Sequence, residues 1–184
     1  MKKPAKSDPK KRKGLIIVNT GNGKGKSTAS VGLALRAAGN KMKFLIMQPK
    51  KGPWKFIERK ALKALSEYVE YEAMGDGFTW DTENPEQDKK TARNAFDIAK
   101  EKLMSGKYQM IILDEINYVL DYKFFPLDEF LETLRNKPEN VHVVCTGRNA
   151  QEKLIELADL VTEMKLIKHP YDDQGIPAQK GIEF

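Results

Sequence analysis

Short apolar runs recur along the chain and alternate with stretches whose apolar residues repeat every three or four positions. The runs at 15–18, 44–47 and 110–113 contain no polar residue, which is the pattern of strands buried on both faces. They predict strands at 15–20, taken as the first and central one, at 44–48 and at 110–113, with further strands at 69–74, 141–146 and 160–164. Residues 29–38 are rich in helix formers and end at Gly39 and Asn40, which suit a helix C-terminus. Residues 54–66 also read as helical. After Asn84, a capping residue, and Pro85, which suits a first helical position, Ala92, Ala95, Phe96, Ala99 and Leu103 form one apolar face. Leu127, Phe130, Leu131 and Leu134 make a second stripe after Pro126, and Asn149 with Glu152 resembles a capping box opening a helix to about Ala158. Strands alternating with helices predict an α/β domain whose mostly parallel sheet of about six strands carries helices on both faces.

Between the first strand and first helix stands TGNGKGKST, residues 20–28. Strand, glycine loop and helix are the context a phosphate-binding loop requires. Its glycines allow backbone N–H groups to turn toward an anion, the helix start adds its positive dipole end, and Lys26 supplies a full charge. Ser27 can place its hydroxyl on a magnesium ion that bridges the phosphates. In the usual GxxxxGK[ST] spacing the first glycine would fall at Thr20; here it is Gly21, so the loop is one residue tighter and carries an extra lysine, Lys24. The plain alternative is a glycine-rich turn that binds nothing, against which Gly25, Lys26 and Ser27 fall together directly after a strand.

Ligands of such folds gather at the carboxyl ends of the strands, where the loop, Gln48, the segment 75–84, Asp114, Glu115 and Arg148 all fall. The strand IILDE ends in two carboxylates, which read either as the metal-holding half of a nucleotide site or as two surface acids capping a helix. An acid at Glu115 is what RecA-like nucleotide hydrolases use to activate water, so the pair points to that branch of P-loop folds. Arg148 stands either as a charge for the phosphates or as a surface arginine in a turn. Phe78 and Trp80, two apart in GDGFTWDTEN, face one way on extended backbone; they contact a ligand that is not a nucleotide, or plug the core beneath the loop. Trp54 reads as packing, His142 as a sheet residue, and His169 offers no metal-ligand spacing.

Composition narrows this further. A chain of 184 residues can bury a core as one domain without metals or disulfides. The single Cys145 lies in an apolar run and cannot form an internal disulfide, which suits a reducing compartment, the cytoplasm. No stretch approaches the roughly 20 apolar residues of a membrane span, and no apolar secretion signal precedes the first strand. The net charge of +6 resides in residues 1–13, where seven basic side chains face one acid, while the remaining 171 residues hold 25 of each sign. Residues 1–13 therefore read as a disordered basic tail on a neutral domain, 14–184, which argues against nucleic acid as a partner.

Taken together, these residues resemble the P-loop family of ATP:corrinoid adenosyltransferases. The resemblance runs from Gly14 to Phe184 through TGNGKGKST, KGPW at 51–54 with Glu58 and Arg59, GFTWDT at 77–82, LDEINY at 113–118, TGR at 146–148, ELADLVTE at 156–163, and KH at 168–169 before AQKGIEF. It implies a single P-loop NTPase-type, RecA-like domain that binds ATP and a corrinoid. A Co(I) corrinoid would attack the 5′ carbon of ATP and displace triphosphate, with ATP bound in the reverse sense, which gives a reason for the altered loop spacing. The ATP-binding residues would be Gly21, Asn22, Gly23, Lys24, Gly25, Lys26, Ser27 and Thr28, and the catalytic ones Lys26, Phe78, Trp80 and Arg148. Phe78 and Trp80 would lie on the lower corrin face and displace the lower cobalt ligand, easing reduction to Co(I). Ser27, Asp114 and Glu115 would hold magnesium, or manganese in its place, since a Co(I) nucleophile leaves Glu115 no water to activate. The resemblance also implies a homodimer and a separate electron donor such as a reduced flavoprotein.

Two departures accompany it: residues 1–13 do not read as the amino-terminal helix that covers the site in family members, and Pro49 and Lys50 replace more apolar residues after Gln48. Two other functions remain in view from the residues themselves. A RecA-like ATPase or kinase would hydrolyse ATP steadily and leave the aromatics without a ligand. A nucleic-acid-binding module would depend on the basic tail.

Overall fold

The computed structural model describes residues 12–49, 58–74 and 85–183. Six strands, β1 (Ile16–Thr20), β2 (Phe44–Pro49), β3 (Val69–Met74), β4 (Met110–Leu113), β5 (His142–Thr146) and β6 (Leu160–Glu163), pair in parallel in the order β3-β2-β4-β5-β1-β6. Helices α1 (Lys26–Gly39), α2 (Glu58–Leu62, continued by a 3₁₀ turn at Lys63–Leu65), α3 (Pro85–Met104), α4 (Ile116–Asp121), α5 (Leu127–Arg135), α6 (Glu152–Leu157) and α7 (Pro170–Gln174) complete the described elements. A strand alternates its side chains between two faces, and here both faces are apolar. Leu45, Met47, Ile111, Leu113, Val143 and Cys145 pack with Ala92, Phe96, Phe130 and Leu154 on one side. Phe44, Ile46, Met110, Ile112 and Val144 pack with Ala34, Ala37, Ala38 and Leu62 on the other. The expected doubly covered parallel sheet is the observed one.

The apolar stripes read from the sequence are the buried ones. Ala92, Ala95, Phe96, Ala99 and Leu103 of α3 are all buried, as are Phe130, Leu131 and Leu134 of α5, with Leu127 packed at the margin. Phe96 stacks on Phe125 with ring centroids 4.5 Å apart and tilts against Phe130 at 6.0 Å. Burying each Phe or Leu of these stripes stabilises the fold by about 1.5–3 kcal/mol. Cys145 is fully buried in β5, and burial pushes its thiol up to about 12, so it packs as an inert apolar group. His142 of β5 accepts the Leu15 N–H at Nδ1, 3.1 Å away, as a sheet residue.

Several local expectations differ. β1 lies one place in from an edge, between β5 and β6, yet every one of its residues is buried. β6, at that edge, leaves Leu160 48% and Val161 37% exposed. The capping box at Asn149 does not form: Asn149 takes a left-handed conformation at φ 51°, and its Nδ2 donates to Asp121 Oδ2 at 2.8 Å. Helix α6 begins at Glu152 after an extended Gln151, with no side-chain cap. Helices α4 and α7, each a turn or two long, are not among the expected elements, although Pro170 and Gly175 bracket α7. Residues 1–11 of the basic tail and Asn84 lie outside the described residues. Lys13, at the tail's end, pairs with Asp159, whose second oxygen accepts the Ile16 N–H at 2.9 Å.

Away from the strand carboxyl ends, Glu70 of β3 is paired with Lys107 and, at 3.1 Å, with Lys102 of α3. The Lys107 ammonium, foremost, holds the Glu70 carboxyl down to about 2 from an ordinary 4.5. A depressed folded pKa stabilises the native state above the unfolded value and loses that stabilisation as pH falls. Denaturation of the wild type between pH 5 and 2 is therefore expected to show a steeper loss of stability than Glu70→Gln, whose curve should be flatter over that window; partial exposure of the pair keeps the difference small.

Candidate active site

The functional side chains stand where neighbouring strands end. β1 runs into the glycine loop and so to Lys26 and Ser27, β2 carries Gln48 one residue before its end, β4 hands over to Asp114, and β5 ends at Thr146. In the sheet β2, β4, β5 and β1 are consecutive, so these ends form one row. Asp114, only 2% exposed, is its centre. Ser27 donates its hydroxyl to Asp114 Oδ1 at 2.8 Å, Thr146 donates to the same oxygen at 2.6 Å, and Gln48 Nε2 donates to Oδ2 at 2.6 Å. A buried carboxylate requires such donors, because desolvation without them costs several kcal/mol. Thr146 Oγ1 also accepts the N–H of Glu115 at 2.8 Å. Glu115 is a non-glycine residue at φ 63°, so the chain turns sharply between the two acids before α4 begins.

The loop is held from two directions. Lys26 Nζ donates to the carbonyls of Gly21 and Gly23, each at 2.7 Å, bracing the turn internally. The Gly23 N–H is spent on Met164 O at 2.6 Å, in the segment following β6. That approach leaves no room for side chains: a Cβ on Gly23 would lie 2.6 Å from Lys165 O, and one on Gly21 2.5 Å from Met164 O, with Gly21 at φ 92°. Gly23 is thus an anchor whose N–H points at protein, where the sequence suggested an anion-facing group. Gly25, at φ 107°, starts α1, whose first internal bond is Ala29 N–H to Gly25 O; the earlier amides of the helix form its open, positive end. Asn19 Nδ2 donates to Ser30 Oγ at 3.1 Å, and Ser30 in turn to Lys26 O at 3.0 Å, which pins the helix start to β1.

Of the residues singled out in the sequence, the structure therefore brings Lys26, Ser27 and Asp114 together, with Glu115 adjacent. Lys24 instead pairs with Glu183, Nζ to Oε2 at 2.6 Å, near the chain's end. Arg148 is exposed just past the carboxyl end of β5 and makes no hydrogen bond or ion pair with a described residue. Its turn rests on buried Asn117, which donates Nδ2 to Gly147 O at 3.0 Å, while Gly147 takes φ 126°. Asn22 and Thr28 complete the loop and first helical turn, both exposed. Phe78 and Trp80 lie outside the described residues, as does Trp54. The sequence places Gln48 at the site by position alone; Thr146 and Glu183 carry no signal beyond lying in the TGR and AQKGIEF segments, and Tyr71, inside β3, carries none.

Among the described residues no three His, Cys, Asp or Glu side chains gather as a metal-ion set. One serine hydroxyl beside one or two carboxylates is nonetheless a donor set that fits magnesium, which keeps waters and takes its other ligands from substrate phosphates.

A parallel sheet with a glycine loop at its head, and a buried carboxylate set on the loop's hydroxyl, defines a P-loop nucleotide-binding domain of the RecA-like kind. A family model described as ATP:corrinoid adenosyltransferase BtuR/CobO/CobP matches residues 12–184, and the chain belongs to that family. It is 46% identical over 174 residues to a corrinoid adenosyltransferase of Sinorhizobium sp, covering 94% of this chain and 81% of that one. It is 41% identical over 172 residues to the corrinoid adenosyltransferase of Escherichia coli K12, covering 94% and 86%. Among solved structures, the flagellar accessory protein FlaH of Methanocaldococcus jannaschii shares the fold with a TM-score of 0.50 at 16% identity, over 82% of this chain and 70% of that one.

The close seat of the loop on residues 164–165 yields a direct expectation. Gly23→Ala should displace the loop and weaken ATP binding at least about tenfold, about 1.4 kcal/mol, by calorimetric titration. An unchanged affinity would mean that the seat has no bearing on the nucleotide.

Proposed function

We propose that this chain transfers the 5′-deoxyadenosyl group of ATP to the cobalt of a Co(I) corrinoid, with its own loop and strand ends handling the triphosphate. The observation that carries the reading is the junction of Lys26, Ser27 and buried Asp114 at the head of the sheet, within a chain of the corrinoid adenosyltransferase family. In the reaction a cobalt–carbon bond forms as the bond from C5′ to the α-phosphate oxygen breaks, and the electron pair leaves with triphosphate. The nucleophile is already an electron-pair donor, so no general base is needed. What the protein must supply is charge and orientation for the leaving group.

Lys26 supplies the cation at the mouth of the loop, and the open amides of α1 add the helix's positive end. Lys24 and Arg148 are further cations at its margin. Ser27 and Asp114, with Glu115 next to them, hold magnesium or manganese, which when bound offsets charge on the departing triphosphate. Phe78 and Trp80 take the lower corrin face, where apolar rings offer cobalt no replacement ligand and so favour Co(I). The corrinoid arrives oxidised and needs a separate electron donor, such as a reduced flavoprotein. A homodimer in the cytoplasm completes the reading. The single free cysteine, Cys145, suits a reducing compartment, which supports the location alone.

Anaerobic incubation with ATP, magnesium and chemically reduced corrinoid should release triphosphate and give a light-sensitive cobalt–carbon product. Steady ADP and phosphate with an unchanged cobalt spectrum would sink the assignment and return Glu115 to the role of a base. Separately, Trp80→Ala should keep ATP affinity while losing corrinoid turnover by about tenfold or more in kcat/KM. Equal loss of both would place Trp80 in the core instead.

A further inference from the structure

The Asp114 carboxylate is gripped by more than the loop. Its Oδ1 receives Ser27 and Thr146, and among the described residues Gln48 is the single donor to Oδ2, at 2.6 Å. Gln48 is itself 4% exposed, near the end of β2. An amide can present either end, but an ionised carboxylate only accepts, so Nε2 must face Asp114 and Oε1 must face away. Oε1 is met there by the hydroxyl of Tyr71, which donates to it at 2.9 Å. The sheet register brings this about: Tyr71 of β3 is paired with Ile46 of β2, so it lies diagonal to Gln48 on the same face. A chain of donors thus runs from β3 through β2 to the carboxylate at the end of β4, and from there to Ser27 at the start of α1.

We propose that Gln48 and Tyr71 are positioning residues for divalent-cation binding: they fix Oδ2 of Asp114 so that Oδ1 stays aimed at Ser27, where the ion is held. The proposal rests on the assignment of Ser27 and Asp114 to that ion. Ser27 can turn a lone pair to a cation while its hydroxyl proton stays on Oδ1, provided the carboxylate holds its orientation. Thr146 and Gln48 are the donors from other strands that keep the buried carboxylate from rotating. Without Gln48, Oδ2 is left buried without a described donor, and the carboxylate is free to turn. Without the Tyr71 hydroxyl, Gln48 keeps its bond to Asp114 but loses the partner that fixes the amide's sense. Outer partners of this kind typically set metal affinity by about 10–100-fold.

The test needs no turnover. ATP affinity is measured by calorimetry for the wild type, Gln48→Leu and Tyr71→Phe, once with magnesium and once with a chelator, and the ratio of the two affinities is the readout. The wild type should bind more tightly with magnesium. Gln48→Leu should shrink the ratio about tenfold or more, and Tyr71→Phe about 2–10-fold, with chelator-arm affinities close to wild type. Tyr71→Phe removes one oxygen from a half-buried ring, so it decides the matter even if Gln48→Leu fails to fold. Ratios equal to wild type in the folded variants overturn the proposal. So does a loss of equal size in both arms, which would make the pair a support for the loop as a whole. A wild-type affinity indifferent to magnesium overturns the cation assignment itself, and this proposal with it.

Discussion

The structure turns on one buried carboxylate. Asp114 sits at the end of a strand with apolar neighbours on both sheet faces, and an ion there is tolerated only because donors from three other elements converge on it. Each donor ties down something the chemistry needs. Ser27 fixes the start of α1, Thr146 fixes the turn into Arg148 and receives the Glu115 amide, and Gln48 links the far strands. The arrangement costs desolvation, and the donors offset it only when sheet order and register are those observed. Site geometry and fold are in this sense a single constraint.

The glycine loop is likewise held from outside itself. Its two close approaches, at Gly21 and Gly23, are to residues 164–165, just past the edge strand β6. The last strand of the sheet therefore shapes the first functional loop, although they are separated by most of the chain. Lys24, the lysine added by the tighter spacing, pairs with Glu183 close to the carboxyl end and extends that dependence. In a corrinoid adenosyltransferase the leaving group is a whole triphosphate, and a loop seated firmly on a second segment offers it a surface that does not need to reorganise.

Much of the fold was legible beforehand because its signals are local. Unbroken apolar runs such as 44–47 and 110–113 cannot be half-exposed strands, so burial between two helical layers followed, and the α3 and α5 stripes named their own buried faces. Lys26, Ser27 and Asp114 were legible for the same reason, each being tied to a short motif with a fixed chemical task. Asn149 shows where local reading fails: it takes a left-handed backbone conformation with its amide turned to Asp121, and the helix starts later, at Glu152 after an extended Gln151. Gly23 fails differently, its N–H being claimed by Met164 from a part of the chain no loop pattern mentions.

What the sequence alone determined is the class of the six strands and the longer helices, the strand, glycine loop and helix context of 20–28, and the family to which the motifs belong. What only the tertiary structure decided is which strand ends are neighbours. Residues 27, 48, 114 and 146 are scattered in the chain and become one cluster because β4 and β5 insert between β2 and β1. Parallel pairing is carried by backbone hydrogen bonds and non-local apolar contacts, which no single segment encodes. Strand order is settled only when all the apolar faces are covered at once.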